Sequence, residues 1–151
     1  MIILIQYIQD FAFTTTFLDT YKYNTMAKVR QKQVEELIRR NFGTVLLNEG
    51  SYVYGPEPLV TVTKVMITPD FGLAKIYLSV YNTENKQAVI LEMEEAKHRL
   101  RQALAYRVKK HMRRIPEVDF YLDDTLDEMY RLQNLFEKLH DDKQMGEEDA
   151  G

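Results

Sequence analysis

Between Lys97 and Arg114 the chain places eight cations and no acid: Lys97, Arg99, Arg101, Arg107, Lys109, Lys110, Arg113 and Arg114. Ammonium and guanidinium groups gathered without counter-charges suit one chemistry above others. They neutralise phosphates along a polyanion and release its condensed counterions. An ordinary solvated helix face would mix signs, because like charges three or four apart, such as Arg107–Lys110 or Lys110–Arg114, cost about 0.2–0.5 kcal/mol each. A helix C-terminus attracts cations over about one turn, which accounts for Lys110, Arg113 and Arg114 but not for Arg99 or Arg101. A polyanion accounts for all of them. Tyr106 lies inside this stretch, and Tyr77 and Tyr81 lie on the polar-side register of a hairpin, where bases could stack. A half-buried position at a sheet edge explains Tyr77 better, so phosphate and shape contacts are favoured over base readout.

Other chemistries find little support. Only three histidines occur. His98 and His111 are thirteen residues apart with no carboxylate in sequence to orient either, and His140 stands alone. Asp123, Asp124 and Asp127 read as a strand end and helix cap. There is no Gly-rich phosphate loop and no nucleophile with a plausible base. The expectation is therefore no catalytic residue, no metal, no cofactor and no small-molecule substrate. The chain has no cysteine, which excludes disulfides and thiolate zinc sites and fits a reducing cytosol. No run of about 18 apolar residues occurs, so no membrane-spanning helix is expected.

Charge is strongly segregated. Net charge is −3, but Met26–Ile115 carries +7, Pro116–Gly151 −9 and Met1–Thr25 −1. The 151 residues suffice for one domain. Met1–Thr25 opens on an apolar run without preceding cations or a cleavage site, so it is no signal peptide. Its β-branched and aromatic content suggests a strand or a disordered arm. Met26-Ala27-Lys28 looks like an ordinary start, and residues 1–25 read as an upstream extension.

Lys28–Leu47 shows helical spacing through Val34, Leu37, Ile38, Phe42 and Val45, with Gly50 and Pro56 breaking the chain afterwards. Leu59–Thr68 reads as a strand whose imperfect alternation fits burial on both faces. Pro69-Asp70-Phe71-Gly72 is a turn in which Gly72 supplies positive φ. Leu73–Tyr81 alternates cleanly and completes a hairpin. Lys86–Ile115 keeps helical spacing for a length that would be about 42 Å if straight. That exceeds a small domain, so a bend is expected, placed at Ala103-Leu104-Ala105. Pro116 ends the helix, Glu117–Leu122 forms a third strand, and Thr125…Glu128 fits a capping box opening a helix to about His140. The acidic residues 141–151 read as disordered. The order gives an α+β domain over 26–140, with helices on one face of a three-stranded sheet.

Three stretches, in this order, resemble the ribosome-binding factor A family: Arg30-Gln31-Lys32-Gln33-Val34, Val60–Tyr81, and Ile115–Met129. The resemblance implies a type II KH-like fold in which a kinked helix pair, matched here by Ala103 and Ala105, replaces the GxxG loop of ordinary KH domains. It implies a cytoplasmic monomer that is not an enzyme. Such a protein would bind the immature small (30S) ribosomal subunit through 16S rRNA and assist its maturation, with importance in the cold. The RNA face would comprise Arg99, Arg101, Arg107, Lys109, Lys110, Arg113 and Arg114, extended by Lys28, Arg30 and Lys32. Where many members carry an Asp-Pro-Arg turn, this chain has Gly55-Pro56-Glu57-Pro58 and no cation, so no RNA contact is expected there. A KH-like protein acting on other RNAs, and a module whose basic face meets an acidic protein, are the alternatives.

Overall fold

The computed structural model describes residues 2–148, with side chains described for 22, 24–141 and 143. Helix α1 spans Ile2–Tyr54, β1 Leu59–Ile67, β2 Leu73–Tyr81, α2 Lys86–Glu95, α3 Lys97–Val108, β3 Glu117–Leu122 and α4 Thr125–Glu148. The strands form one sheet in the order β1-β2-β3, with β1 antiparallel and β3 parallel to β2. The α2–α3 crossover links the parallel pair, as a parallel pair requires.

The core lies between the sheet and α1, α2 and α3. Ile38, Phe42 and Val45 enter from α1, Val89, Ile90 and Met93 from α2, and Leu100, Leu104 and Val108 from α3. Ala74, Ile76, Leu78 and Val80 alternate inward from β2, with Val118 and Phe120 from β3. The rings of Phe42 and Phe120 stack with centroids 5.5 Å apart.

Several boundaries differ from the sequence expectation, each for a physical reason. The segment before Met26 is neither strand nor arm: its backbone continues α1. No Pro or Gly precedes Gly43 to stop a helix propagating through it. Gly50 does not end α1 either. It sits under Tyr54, whose phenol occupies the space an added Cβ would take, and the helix closes on Gly55 at φ +86°, the left-handed stop that glycine permits. The uneven alternation of β1 comes from a bulge between Val62 and Lys64, not from burial on both faces, since Thr61, Lys64 and Met66 are exposed. In the following turn Phe71, not Gly72, takes positive φ, at 57°. Its ring packs partly on the core and under the Arg30 guanidinium, 5.7 Å away. An added Cβ at Gly72 would meet Asp70 Oδ2 at 2.9 Å, so a larger residue there would push the Asp70 carboxylate aside.

The long helical stretch does break, but at Ala96 (φ −88°, ψ 9°). Ala103 and Ala105 lie inside α3, where Ala103 packs against the core. The residues flanking Ala96 are tied to β3. Glu94 accepts from the Phe120 N–H at 3.0 Å, and Lys97 Nζ reaches Glu94 at 2.6 Å and Asp119 at 2.8 Å. Burial opposes the charge of Lys97, yet the Asp119 and Glu94 carboxylates outweigh it and raise its pKa. A straight helix would pull these groups off the strand edge. Helix α3 then ends at Val108, earlier than Pro116, because its last buried residue is Val108 and the chain must turn to bring Glu117 N–H to Gly72 O, 2.9 Å away.

Helix α4 continues through Glu148, past the expected end at His140; residues 149–151 lie outside the described residues. The Thr125…Glu128 capping box does not form. Asp123 Oδ1 instead accepts from Thr125 N–H and Oγ1, while Oδ2 accepts from Thr63 Oγ1 at 2.6 Å. Hydrogen bonds from Thr125, then Thr63, hold the Asp123 carboxyl below its ordinary pKa. A depressed folded-state pKa stabilises above the unfolded value of about 3.9, and the gain is lost as pH falls through the folded value. Asp123→Ala should therefore cost about 1 kcal/mol at neutral pH. In urea unfolding the gap between variant and native chain should begin to narrow as pH falls below about 4. A gap that does not change with pH would contradict the assignment.

Candidate nucleic-acid interface

The residues after Val108 do not continue a helix. Lys109 N–H bonds to Ala105 O, and His111 and Met112 N–H both bond to Val108 O, at 2.8 and 3.1 Å. Met112 and Ile115 turn back onto the core, which leaves Lys109, Lys110, Arg113 and Arg114 exposed on an irregular turn. Fanned out in this way, they escape most of the like-charge crowding that a helix would impose.

This turn forms one wall of an open cleft of about 590 Å³. Arg30 and Val34 of α1 form another wall, and Asp70 and Phe71 of the β1–β2 turn close it. Two smaller clefts adjoin it along the basic segment. One is lined by Asn41, Tyr106 and Arg107, the other by Arg101, Arg113 and Arg114, and each shares lining cations with the main cleft. Arg107, Lys110, Arg113 and Arg114 make no hydrogen bond or ion pair among the described residues. Lys109 Nζ stands 4.4 Å over the ring of Tyr106, which is 74 % exposed. The one acid of the main cleft, Asp70, is bound into its own turn. The Thr68 hydroxyl, then the Gly72 N–H, hold its carboxyl below the ordinary pKa, and Arg114 adds a favourable field.

The hairpin end that carries Asp70 and Phe71 is fixed to α1. Glu35 Oε1 accepts from Ile67 N–H at 3.0 Å, and Gln31 Nε2 donates to Ile67 O at 3.5 Å. These two residues, Phe71 and Asn41 were missed by sequence reasoning. Only their positions on α1 or in the turn were visible, and a contact 32 residues apart leaves no local signal.

The expected site residues divide into three groups. Arg107, Lys109, Lys110, Arg113 and Arg114 share one surface with Arg30. Lys28 and Lys32 do not join it. Lys32 lines a separate cleft with Val29, Leu37 and Arg40, and at 100° per residue Lys28 falls on the Lys32 side of α1. Arg99 and Arg101 are engaged within the protein. Arg99 pairs with Glu49 at 2.6 Å and stacks over Tyr52. Arg101 donates to Ile115 O and Pro116 O, both at 3.0 Å, and pairs with Glu117 at 3.1 Å. Arg101 thus braces the turn that carries the free cations. Arg101→Ala should destabilise the domain by about 2 kcal/mol, the worth of charge-assisted hydrogen bonds. The salt dependence of RNA binding measured on the folded variant should stay unchanged, and a shallower salt slope would make Arg101 a phosphate contact instead.

On the neighbouring face of α1, hydrogen bonds from Arg39, then Arg40, hold the Glu36 carboxyl at about 2. Its one negative charge offsets one of the two guanidinium charges across the physiological range. Among the described residues no three His, Asp or Glu gather to hold a metal, and no helix is long and apolar enough to cross a membrane.

A helix–strand–strand–broken helix pair–strand domain, with its cations collected where the second half of the pair ends, is a type II KH-like domain. The ribosome-binding factor A family profile matches residues 30–136. The chain is 34% identical to ribosome-binding factor A of Cytophaga hutchinsonii over 114 residues, covering 76% of this chain and 85% of that protein. It is 31% identical to that of Chlorobium phaeobacteroides over 117 residues, covering 77% and 98%. The crystal structure of the Thermus thermophilus factor superposes with a TM-score of 0.51 at 24% identity, over 61% of this chain and 94% of that one, and shows the same fold. The chain belongs to the ribosome-binding factor A family.

Proposed function

We propose that this chain binds the free small ribosomal subunit through 16S rRNA and assists its maturation and rRNA processing, as a monomeric cytoplasmic binding factor and not a catalyst. Family membership supports ribosome binding, since the relatives carry that activity in their name. The observation that carries the RNA-contact reading is the cleft where Arg30 meets Lys109, Lys110, Arg113 and Arg114, cations from two separate elements facing solvent together. Arg107 extends this face, which can track a phosphate backbone without reading bases. Arg99 and Arg101 support it from behind, and Lys28 and Lys32 serve at most as a flank. The acidic C-terminal part stays off the RNA by repulsion.

Pelleting of the purified chain with purified subunits tests the binding. Retention on free small subunits, and not on large subunits, is expected. Equal retention on both would reduce the reading to general RNA affinity. Deletion of the gene should leave 16S rRNA with unprocessed ends, most visibly during growth in the cold, and fully processed 16S rRNA would overturn the maturation role.

A further inference from the structure

The structure separates the three tyrosines on which bases could stack. Tyr77 stacks on Tyr121 with ring centroids 5.4 Å apart. Lys86, paired to Asp127, stands 5.7 Å over the ring of Tyr81. Both rings are accounted for within the domain. Tyr106 lies about 200° round α3 from both Leu104 and Val108, two of the buried residues that set the inward face of the helix. The fold cannot bury it, and it stays exposed. Lys109 covers one face of its ring, which leaves the opposite face open.

A single exposed aromatic is ordinary on a protein surface, but the surroundings of Tyr106 are not. It lines an open cleft of about 510 Å³ with Asn41, Arg107, Lys109 and Lys110. That lining holds three cations and no acid. Arg107 and Lys110 are exposed and have no hydrogen-bond or ion-pair partner among the described residues. Asn41 Nδ2 donates to Leu37 O at 2.8 Å, which leaves Oδ1 as an acceptor for the cleft.

These groups match the parts of one nucleotide. The open ring face can stack on any base, since every base has a π-face. The cations suit the adjoining phosphates. The Asn41 acceptor suits the Watson–Crick edge, on which each RNA base carries an N–H. In a duplex that N–H and both faces of the base are already engaged, so the cleft selects an unpaired nucleotide. An acidic side chain would satisfy the cations but has neither a flat face for Tyr106 nor a donor for Asn41.

We propose that Tyr106, with Asn41, Arg107 and Lys110, holds one unpaired nucleotide of a single-stranded RNA segment, its base on the ring and its phosphates on the cations. The inference rests on the RNA-contact reading above and deepens it. The cationic cleft tracks a backbone, and the stack on Tyr106 marks the place along it where the strand must be unpaired.

Anisotropy titration of the full chain with a short unstructured RNA, alone and annealed to its complement, tests this. Tyr106 is exposed, so its replacement leaves the fold intact. Tyr106→Ala should bind the single strand roughly 5- to 100-fold more weakly, the effect of losing one stacked base. Its affinity for the duplex should be unchanged, and so should its salt slope, because the ring carries no charge. Tyr106→Phe keeps the ring and should bind as the native chain does. Iodouridine placed in the single strand should photo-cross-link to Tyr106. Undiminished single-strand binding by Tyr106→Ala, an equal loss on the duplex, failure of Tyr106→Phe to restore binding, or cross-links only to other residues would each overturn the proposal. If the native chain binds neither these RNAs nor 16S rRNA, the RNA-contact reading fails and takes this inference with it. If the native chain binds 16S rRNA and Tyr106→Ala matches it on the single strand, only the stacking contact fails.

Discussion

Replacing Arg107, Lys110, Arg113 and Arg114 together by alanine should lower affinity for 16S rRNA by about three orders of magnitude at 0.1 M salt. The estimate follows from counterion release. Each phosphate neutralised contributes about 0.7–0.9 to the slope of log affinity against log salt, so four lost contacts flatten it by about 3 to 3.6. These four side chains are exposed and have no hydrogen-bond or ion-pair partner among the described residues, so their removal leaves the fold intact. It also relieves mutual repulsion, and the variant should melt no lower than the native chain. Titration of labelled 16S rRNA at several salt concentrations measures both numbers. An unchanged slope would show that the cations do not meet phosphate. Arg101→Ala is the internal contrast, since it should lower stability and spare the slope.

The second large effect is expected in the core. Phe42 is fully buried, stacks on Phe120 and joins α1 to the sheet. Phe42→Ala removes a ring that its neighbours cannot replace and should cost about 3–5 kcal/mol, lowering the melting temperature by roughly 10 °C. Because α1 also carries Arg30, Gln31 and Glu35, loosening it would free the Ile67 end of the hairpin and open the cleft. The variant should therefore lose rRNA affinity near its melting transition before the rest of the domain unfolds. A loss of under 1 kcal/mol would mean that α1 is held elsewhere.

The sequence made some of this legible. Leu73–Tyr81 was readable to the residue because β2 is a central strand with one side on the core and a clean alternation. Glu117–Leu122 was equally clear behind Pro116. The basic segment was visible as composition, and the resemblance carried by Val60–Tyr81 and Ile115–Met129 held.

What was illegible depended on tertiary contacts. The break at Ala96 is held by Glu94 and Lys97 reaching β3, and no local signal marks an ordinary alanine as a hinge. Gly50 reads as a breaker until Tyr54 is seen lying over it. Phe71 tolerates positive φ only because Arg30 and the core hold its ring. Among the cations, a count could not separate the free from the engaged. Arg101 and Arg107 look alike in the chain, yet one bonds two carbonyls and the other faces solvent. Lys28, Arg30 and Lys32 look like one cluster until helical rotation divides them.

On the proposed function, the free cations of the α3–β3 turn, with Arg30, hold this protein on the small ribosomal subunit. Sedimentation of cell lysate through sucrose gradients, with the protein followed across fractions at low and moderate salt, tests it most directly. The native chain should peak with free small subunits at low salt and recede to the top of the gradient as salt rises, while the four-alanine variant stays at the top throughout. A native chain found only at the top at low salt, or a variant that still travels with the subunits, would contradict it.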